Sequence, residues 1–175
     1  MKKLTVFFFI CVMMALTPTA DCWTIPPTTV PPWPDHHLPS FSCPDGWTMF
    51  SMYCFLYVPT KMTWDEAETN CRRRSHSWPA NLASVFDSEA AHDIREVLKS
   101  AGHEHGKVWV GGHRTTQNPS WSWNDMLGFN SFHDFCSVDH KHHCLHLTFE
   151  ENEAGCLDDM DCETKLPSVC GVILM

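Results

Sequence analysis

Basic side chains are scarce in this chain: 12 Lys and Arg stand against 21 Asp and Glu, a formal net charge of −9 at pH 7. Beyond Arg72, Arg73 and Arg74 there is no cationic stripe, and an acidic surface repels a phosphate backbone, so no nucleic acid is expected as a partner. No apolar run reaches the roughly 18 residues that a spanning helix needs, so no membrane span is expected. Gly-x-Ser-x-Gly, His-Glu-x-x-His and a glycine-rich phosphate loop are all missing, and the acidic run Glu150, Glu151, Glu153 reads as a solvated turn. The chain is therefore not expected to be an enzyme. An Asn-x-Ser/Thr acceptor is lacking too, which argues against a role that depends on N-glycosylation. There is no repeat of 20–50 residues, which argues against a solenoid.

What is abundant is cysteine, histidine and tryptophan: 10, 12 and 8 in 175 residues. A hydrophobic content of 43% is ordinary for one folded domain. Whether the cysteines form bridges or metal thiolates depends on the compartment. Lys2 and Lys3 precede an apolar run from Leu4 to Leu16, followed by small or turn-forming residues to Ala20. This is the pattern of a signal peptide over residues 1–20, and it predicts a secreted, extracellular product. Cleavage after Ala20 would keep Cys22; cleavage after Cys22 would remove it. Loss of residues 1–20 removes two lysines and no acid, so the mature charge becomes −9 − 2 = −11. Residues 21–42 hold six prolines and no periodicity, an extended Pro-rich arm. The arm is either a terminus without a partner or a spacer whose Cys22 links two chains as a disulfide-bonded homodimer.

Eight cysteines then remain, Cys43, Cys54, Cys71, Cys136, Cys144, Cys156, Cys162 and Cys170. An even number in an oxidising compartment implies four bridges, although about 105 pairings satisfy that count. The aromatic stretch enclosed by Cys43 and Cys54 reads as a hairpin pinned by its own bridge. Thr63-Trp64-Asp65-Glu66 is a capping box opening a helix over Ala67 and Cys71. A second helix starts at Asp87 or Ser88, carries Ala91, Ile94 and Leu98 on one face, and ends before Gly102. Short β-type runs follow at Val108–Val110, Trp121–Trp123, Leu145–Phe149 and Ser168–Leu174, separated by Gly, Asn, Asp and Pro. The class is α+β, with two early helices among short antiparallel sheets and long loops.

Cys-Pro-Asp-Gly-Trp at 43–47, the capped helix ending in Cys71, Trp109-Val110-Gly111-Gly112, Trp121-Ser122-Trp123 and Cys162…Pro167-Ser168-Val169-Cys170 occur in one order. This order resembles the C-type lectin-like domain in its long form, over residues 43–174. The resemblance implies Cys43–Cys54, Cys71–Cys170 and Cys144–Cys162, which leaves Cys136 to pair with Cys156. The added bridge and the Gly-Cys-Leu-Asp-Asp-Met-Asp-Cys run look most like fish type II antifreeze proteins and related fish lectins.

In sugar-binding members of that family, Ca²⁺ is held by a Glu-Pro-Asn or Gln-Pro-Asp triplet, a Glu before the next Cys, and an Asn-Asp pair. Here only Asp158 and Asp159 stand at matching positions, with Asp139 and Glu153 as further oxygen candidates, and the triplet is missing. Two carboxylates alone do not supply the six to eight oxygens of a Ca²⁺ shell. In place of the triplet stands a histidine cluster, His133, His140, His142, His143 and His146. His140 and His142 would face one way on an extended segment, a geometry suited to Zn²⁺; the plainer reading is a solvated polar loop. Twelve unperturbed histidines would move the mature charge from −11 toward about +1 on acidification, so a pH-dependent partner is a further expectation. His103-Glu104-His105 reads as a surface turn. By resemblance the expected role is glycan recognition with a degenerate Ca²⁺ site; ice binding and Ca²⁺-independent protein interaction are the alternatives.

Overall fold

Strand pairing begins at the first disulfide. The computed structural model describes residues 42–76, 78–125, 128–129, 134–150 and 155–174; the expected signal peptide, almost all of the arm, Cys22, His133 and Glu153 lie outside them. Cys43–Cys54 closes a hairpin of β1 (Thr48–Phe50) and β2 (Tyr53–Met62). Thr63 then caps α1 (Trp64–Arg72): its hydroxyl accepts from the Glu66 amide at 3.3 Å while the Glu66 carboxylate accepts from the Thr63 amide at 3.0 Å. Trp64, Ala67, Glu68 and Cys71 form the buried stripe of this helix. The Trp64 indole donates to the Val110 carbonyl at 2.8 Å. The buried Glu68 carboxylate accepts from Arg72 at 2.7 Å and from the Leu82 amide at 2.8 Å, so a charged group is paired on both oxygens and fastens α1 to β3 (Ala80–Leu82).

α2 (Ser88–Ser100) starts at Asp87, whose carboxylate accepts from the Ala90 amide at 2.8 Å. It buries Ala90, Ala91, Ile94, Val97 and Leu98. The remaining strands are β4 (Gly106–His113), β5 (Ser122–Trp123), β6 (Cys144–Phe149), β7 (Cys156–Met160) and β8 (Leu166–Ile173). They join into one sheet in the order β1-β2-β8-β4-β6-β7, with β3 added to β8 and β5 to β4. All ladders are antiparallel except β4 with β8, which pair in parallel with Trp109 opposite Ser168. β3 and β7 were not legible: Ala-Asn-Leu is too short to show alternation, and Asp158 and Asp159 disguise β7 as acidic coil.

Two groups of buried residues make the core. Ile94 and Leu98 of α2 belong with Val108, Val110, Leu145, Leu147, Leu157 and Val169; Trp64 and Ala67 of α1 belong with Trp109, Leu82, Val172 and the Cys71–Cys170 bridge. Each large apolar side chain buried this way contributes about 1.5–3 kcal/mol. Gly111 is required by closeness rather than by dihedral: a Cβ there would lie 2.5 Å from the Leu82 carbonyl oxygen. The other two bridges, Cys136–Cys156 and Cys144–Cys162, tie the segments around β6 and β7. Three of the four pairs are those implied by the resemblance, and Cys136–Cys156 is the pair that this left.

Candidate functional site

The candidate site is built where the loop before β6 meets the acidic pair on β7. Pairing with β6 places Asp158 opposite His146 and Asp159 opposite Leu145. The Asp159 side chain is 3% exposed. Its Oδ1 lies 2.9 Å from His140 Nδ1, and its Oδ2 accepts from the Lys141 amide at 2.9 Å and the His142 amide at 2.5 Å. Burial alone would raise the Asp159 pKa, but the His142 amide, the His140 ring and the Lys141 amide together hold it below the usual carboxylate value.

Arg114, at the end of β4, grips the same loop through its carbonyls. Its Nε donates to the His142 oxygen at 2.8 Å, a terminal nitrogen to the His140 oxygen at 2.9 Å, and its amide to the His143 oxygen at 2.9 Å. The guanidinium sits 4.6 Å from the centre of the Trp121 ring. His140 is packed by Phe135 and Trp121, with ring centres 4.5 and 5.8 Å away. The loop is thus held by a carboxylate on its amides and a guanidinium on its carbonyls.

These contacts decide what the acidic pair can hold. His140, Asp158 and Asp159 offer ligand atoms within 4.8 Å of one another, the one such group among the described residues. A carboxylate has about four lone-pair sites, and Asp159 uses three of them inside the protein. Asp158 Oδ1 accepts from the Asp159 amide at 3.0 Å. Asp139 stands apart, exposed, with its amide on the Ser137 hydroxyl. This donor set does not fit the six to eight oxygens of Ca²⁺.

The structure does not bring His140 and His142 together as a pair of imidazoles, since His142 and His143 are exposed and stand outside the group of His140, Asp158 and Asp159. His146 departs furthest from the sequence expectation. It is fully buried on β6, edge-on to Trp109, and neither ring nitrogen finds a hydrogen-bond partner among the described residues. Burial, helped by Lys107 and opposed by Asp158 and Asp159, lowers its pKa to about 4. Nor is His103 a plain turn residue, since its Nδ1 lies 3.1 Å from the Tyr57 hydroxyl.

Beside the clamped loop opens a cleft of ≈ 520 Å³ lined by Arg72, His113, Trp121, Trp123, Asn124 and Phe129 among others. Trp123 and Phe129 stack with centres 4.8 Å apart. His113 Nδ1 and Asn124 Nδ2 are buried and have no hydrogen-bond partner among the described residues. Sequence reasoning missed these residues because Trp121-Ser122-Trp123 reads as core strand, and nothing in the pattern marks Arg114 as the loop's clamp.

A disulfide-stapled α+β domain carrying a loop-lined cleft next to β4 and β5 defines the class of C-type lectin-like binding modules. The family model described as the Lectin C-type domain matches residues 60–172, and the chain belongs to that family. It is 32% identical over 173 residues to the type-2 ice-structuring protein of Hemitripterus americanus, covering 97% of this chain and 98% of that one. It is also 32% identical over 89 residues to the galactose-specific lectin nattectin of Thalassophryne nattereri, covering 51% of this chain and 54% of that protein. Among solved structures, a calcium-independent type II antifreeze protein is 28% identical with a TM-score of 0.64, covering 77% of this chain and 96% of that one.

Proposed function

We propose that this chain is a secreted glycan-binding module that works without the family's Ca²⁺. The carrying observation is that Asp159, which stands where the family places a Ca²⁺ ligand, spends its carboxylate on His140, Lys141 and His142. A loop already ordered by Asp159 and Arg114 has no need of a metal to order it. The cleft beside it suits a sugar: the aromatic faces of Trp121 and Phe129 take an apolar sugar face, and Arg72 and Ser122 in the lining offer hydrogen bonds to hydroxyls. Support from relatives is the galactose specificity in the name of nattectin. No role for catalysis is included. A disulfide-linked homodimer through Cys22 belongs to the same reading, and comparing reducing with non-reducing gels tests it.

The test is a glycan array probed with oxidised mature protein in Ca²⁺ and in chelator. Signals that persist in chelator and vanish in Trp121→Ala are expected; signals lost in chelator would refute the metal-free reading. A second reading, ice binding, is favoured by the full-length match to a type-2 ice-structuring protein. Thermal hysteresis at high protein concentration tests it directly, and absence of ice shaping removes it.

A further inference from the structure

The cleft lined by Trp121 and Phe129 runs against the charge of the rest of the chain. The whole sequence carries −9, yet no Asp or Glu is among the described residues of this lining, whose titratable groups are Arg72 and His113. Arg72 is the last residue of α1 and opens the run Arg72, Arg73, Arg74. Its Nε donates to Glu68 at 2.7 Å, and the buried Glu68 carboxylate is fixed in turn by the Leu82 amide at 2.8 Å. One edge of the guanidinium is thereby anchored. The Arg72 side chain is nonetheless 62% exposed, and its two terminal nitrogens have no partner among the described residues. A guanidinium held in this way is a ready fork for a planar carboxylate.

Arg114 adds positive charge beside the same aromatic wall, 4.6 Å from the centre of the Trp121 ring. Its side chain donates to the carbonyls of His140 and His142, which are neutral acceptors. It forms no ion pair among the described residues, so no contacting carboxylate offsets its charge. A neutral sugar would use the faces of Trp121 and Phe129 and leave these cations unanswered. An acidic sugar answers both features, with its ring face on the aromatics and its acid on the fork. We infer that the cleft selects sugars that carry a carboxylate, and that Arg72 is the residue that takes it. The inference rests on the glycan reading and narrows it to acidic sugars. Hexuronic and sialic acids share this group, and the test separates them.

The oxidised mature protein is titrated in chelator, followed by tryptophan fluorescence, with methyl glucuronide against methyl glucoside and with sialyllactose against lactose. At least one acid is expected to bind about tenfold more tightly than its neutral partner, the step that one charge-assisted contact supplies. That step should shrink in high salt, and the pair that shows it assigns the source. Arg72→Gln should bring acid and neutral sugar to equal affinity; the ratio is read within one protein, so a general weakening does not imitate it. The comparison in unaltered protein stands even where Arg72→Gln fails to fold. Equal affinity of acid and neutral sugars, a ratio unchanged in Arg72→Gln, or acetate competing as strongly as the glucuronide would overturn the inference and leave the glycan reading in place. Silence from all four sugars would also overturn it, and the glycan array then decides the broader reading separately.

Discussion

Replacing Asp159 by Ala removes one carboxylate and strands three groups at once, the His140 ring and the amides of Lys141 and His142. Hydrogen bonds to a charged partner contribute about 1.5–3 kcal/mol each. Both amides belong to exposed residues, so water replaces part of what they lose, and the expected loss is about 2–4 kcal/mol. The pH dependence has a definite sign. The folded pKa of Asp159 is lowered, so its contribution is fully present above the unfolded value and disappears as pH falls through the folded one. Urea unfolding followed by tryptophan fluorescence should therefore separate wild type from Asp159→Ala at neutral pH, and the gap should narrow toward about pH 3. Millimolar Ca²⁺ should leave the wild-type midpoint unchanged, whereas a ligand at 100 times its Kd would add about 2.7 kcal/mol. A variant as stable as wild type at neutral pH, or a wild type markedly stabilised by Ca²⁺, would refute the clamp.

His146→Leu should stabilise the fold at neutral pH by about 1–2 kcal/mol, because it removes two buried ring nitrogens that have no partner among the described residues. With the folded pKa near 4 and an unfolded value of about 6.5, the native state binds fewer protons, so wild type loses stability as pH falls between them. The advantage of His146→Leu should then grow by a further ~2–3 kcal/mol near pH 4.5; thermal melts that show no such growth would contradict a neutral buried His146. Gly111→Ala pushes a Cβ against the Leu82 carbonyl, which is backbone and cannot swing away. A loss of about 3 kcal/mol or failure to fold is expected, and wild-type yield and melting temperature would count against the close approach. Replacing Cys71 and Cys170 together opens a 99-residue separation, and denaturant unfolding should register a loss of about 4–5 kcal/mol in the chain-entropy model.

Both helices were legible because their signals are local. Thr63 with Glu66, and Asp87 before the Ala91, Ile94, Leu98 stripe, announce start and face within a few residues. The strands with branched or aromatic runs were legible for the same reason. What could not be read is long-range: the parallel contact of β4 with β8 depends on where Trp109 and Ser168 arrive in space, and β7 shows its strand character only once β6 lies beside it. The site follows this division. Asp158 and Asp159 were identifiable from their place in the pattern, but their partners were not, since Asp159 bonds residues 17 to 19 positions away. His146 was grouped with the loop histidines because it lies only two positions beyond Cys144; strand alternation, which puts it on the same buried face as Cys144, places it inside instead.

The arrangement around residues 140–143 exchanges one kind of rigidity for another. A divalent ion orders a loop by drawing oxygens to one point, and its hold vanishes with chelation or with protonation of its ligands. Asp159 and Arg114 act on the other backbone groups as well, one on amides and one on carbonyls, and both groups are covalently part of the chain. Trp121 stands on the hinge of this device, since Arg114 lies over one part of its ring and the same residue lines the cleft. The loop's order and the cleft's aromatic wall are therefore coupled through one side chain. Arg114→Lys keeps the charge but loses the planar fork that reaches two carbonyls, so it should loosen the cleft without touching any ligand, a change visible as weaker glycan binding at nearly constant fold stability. Unchanged affinity in Arg114→Lys would mean that the cleft is held by its own packing, with Trp123 and Phe129 sufficient for its shape.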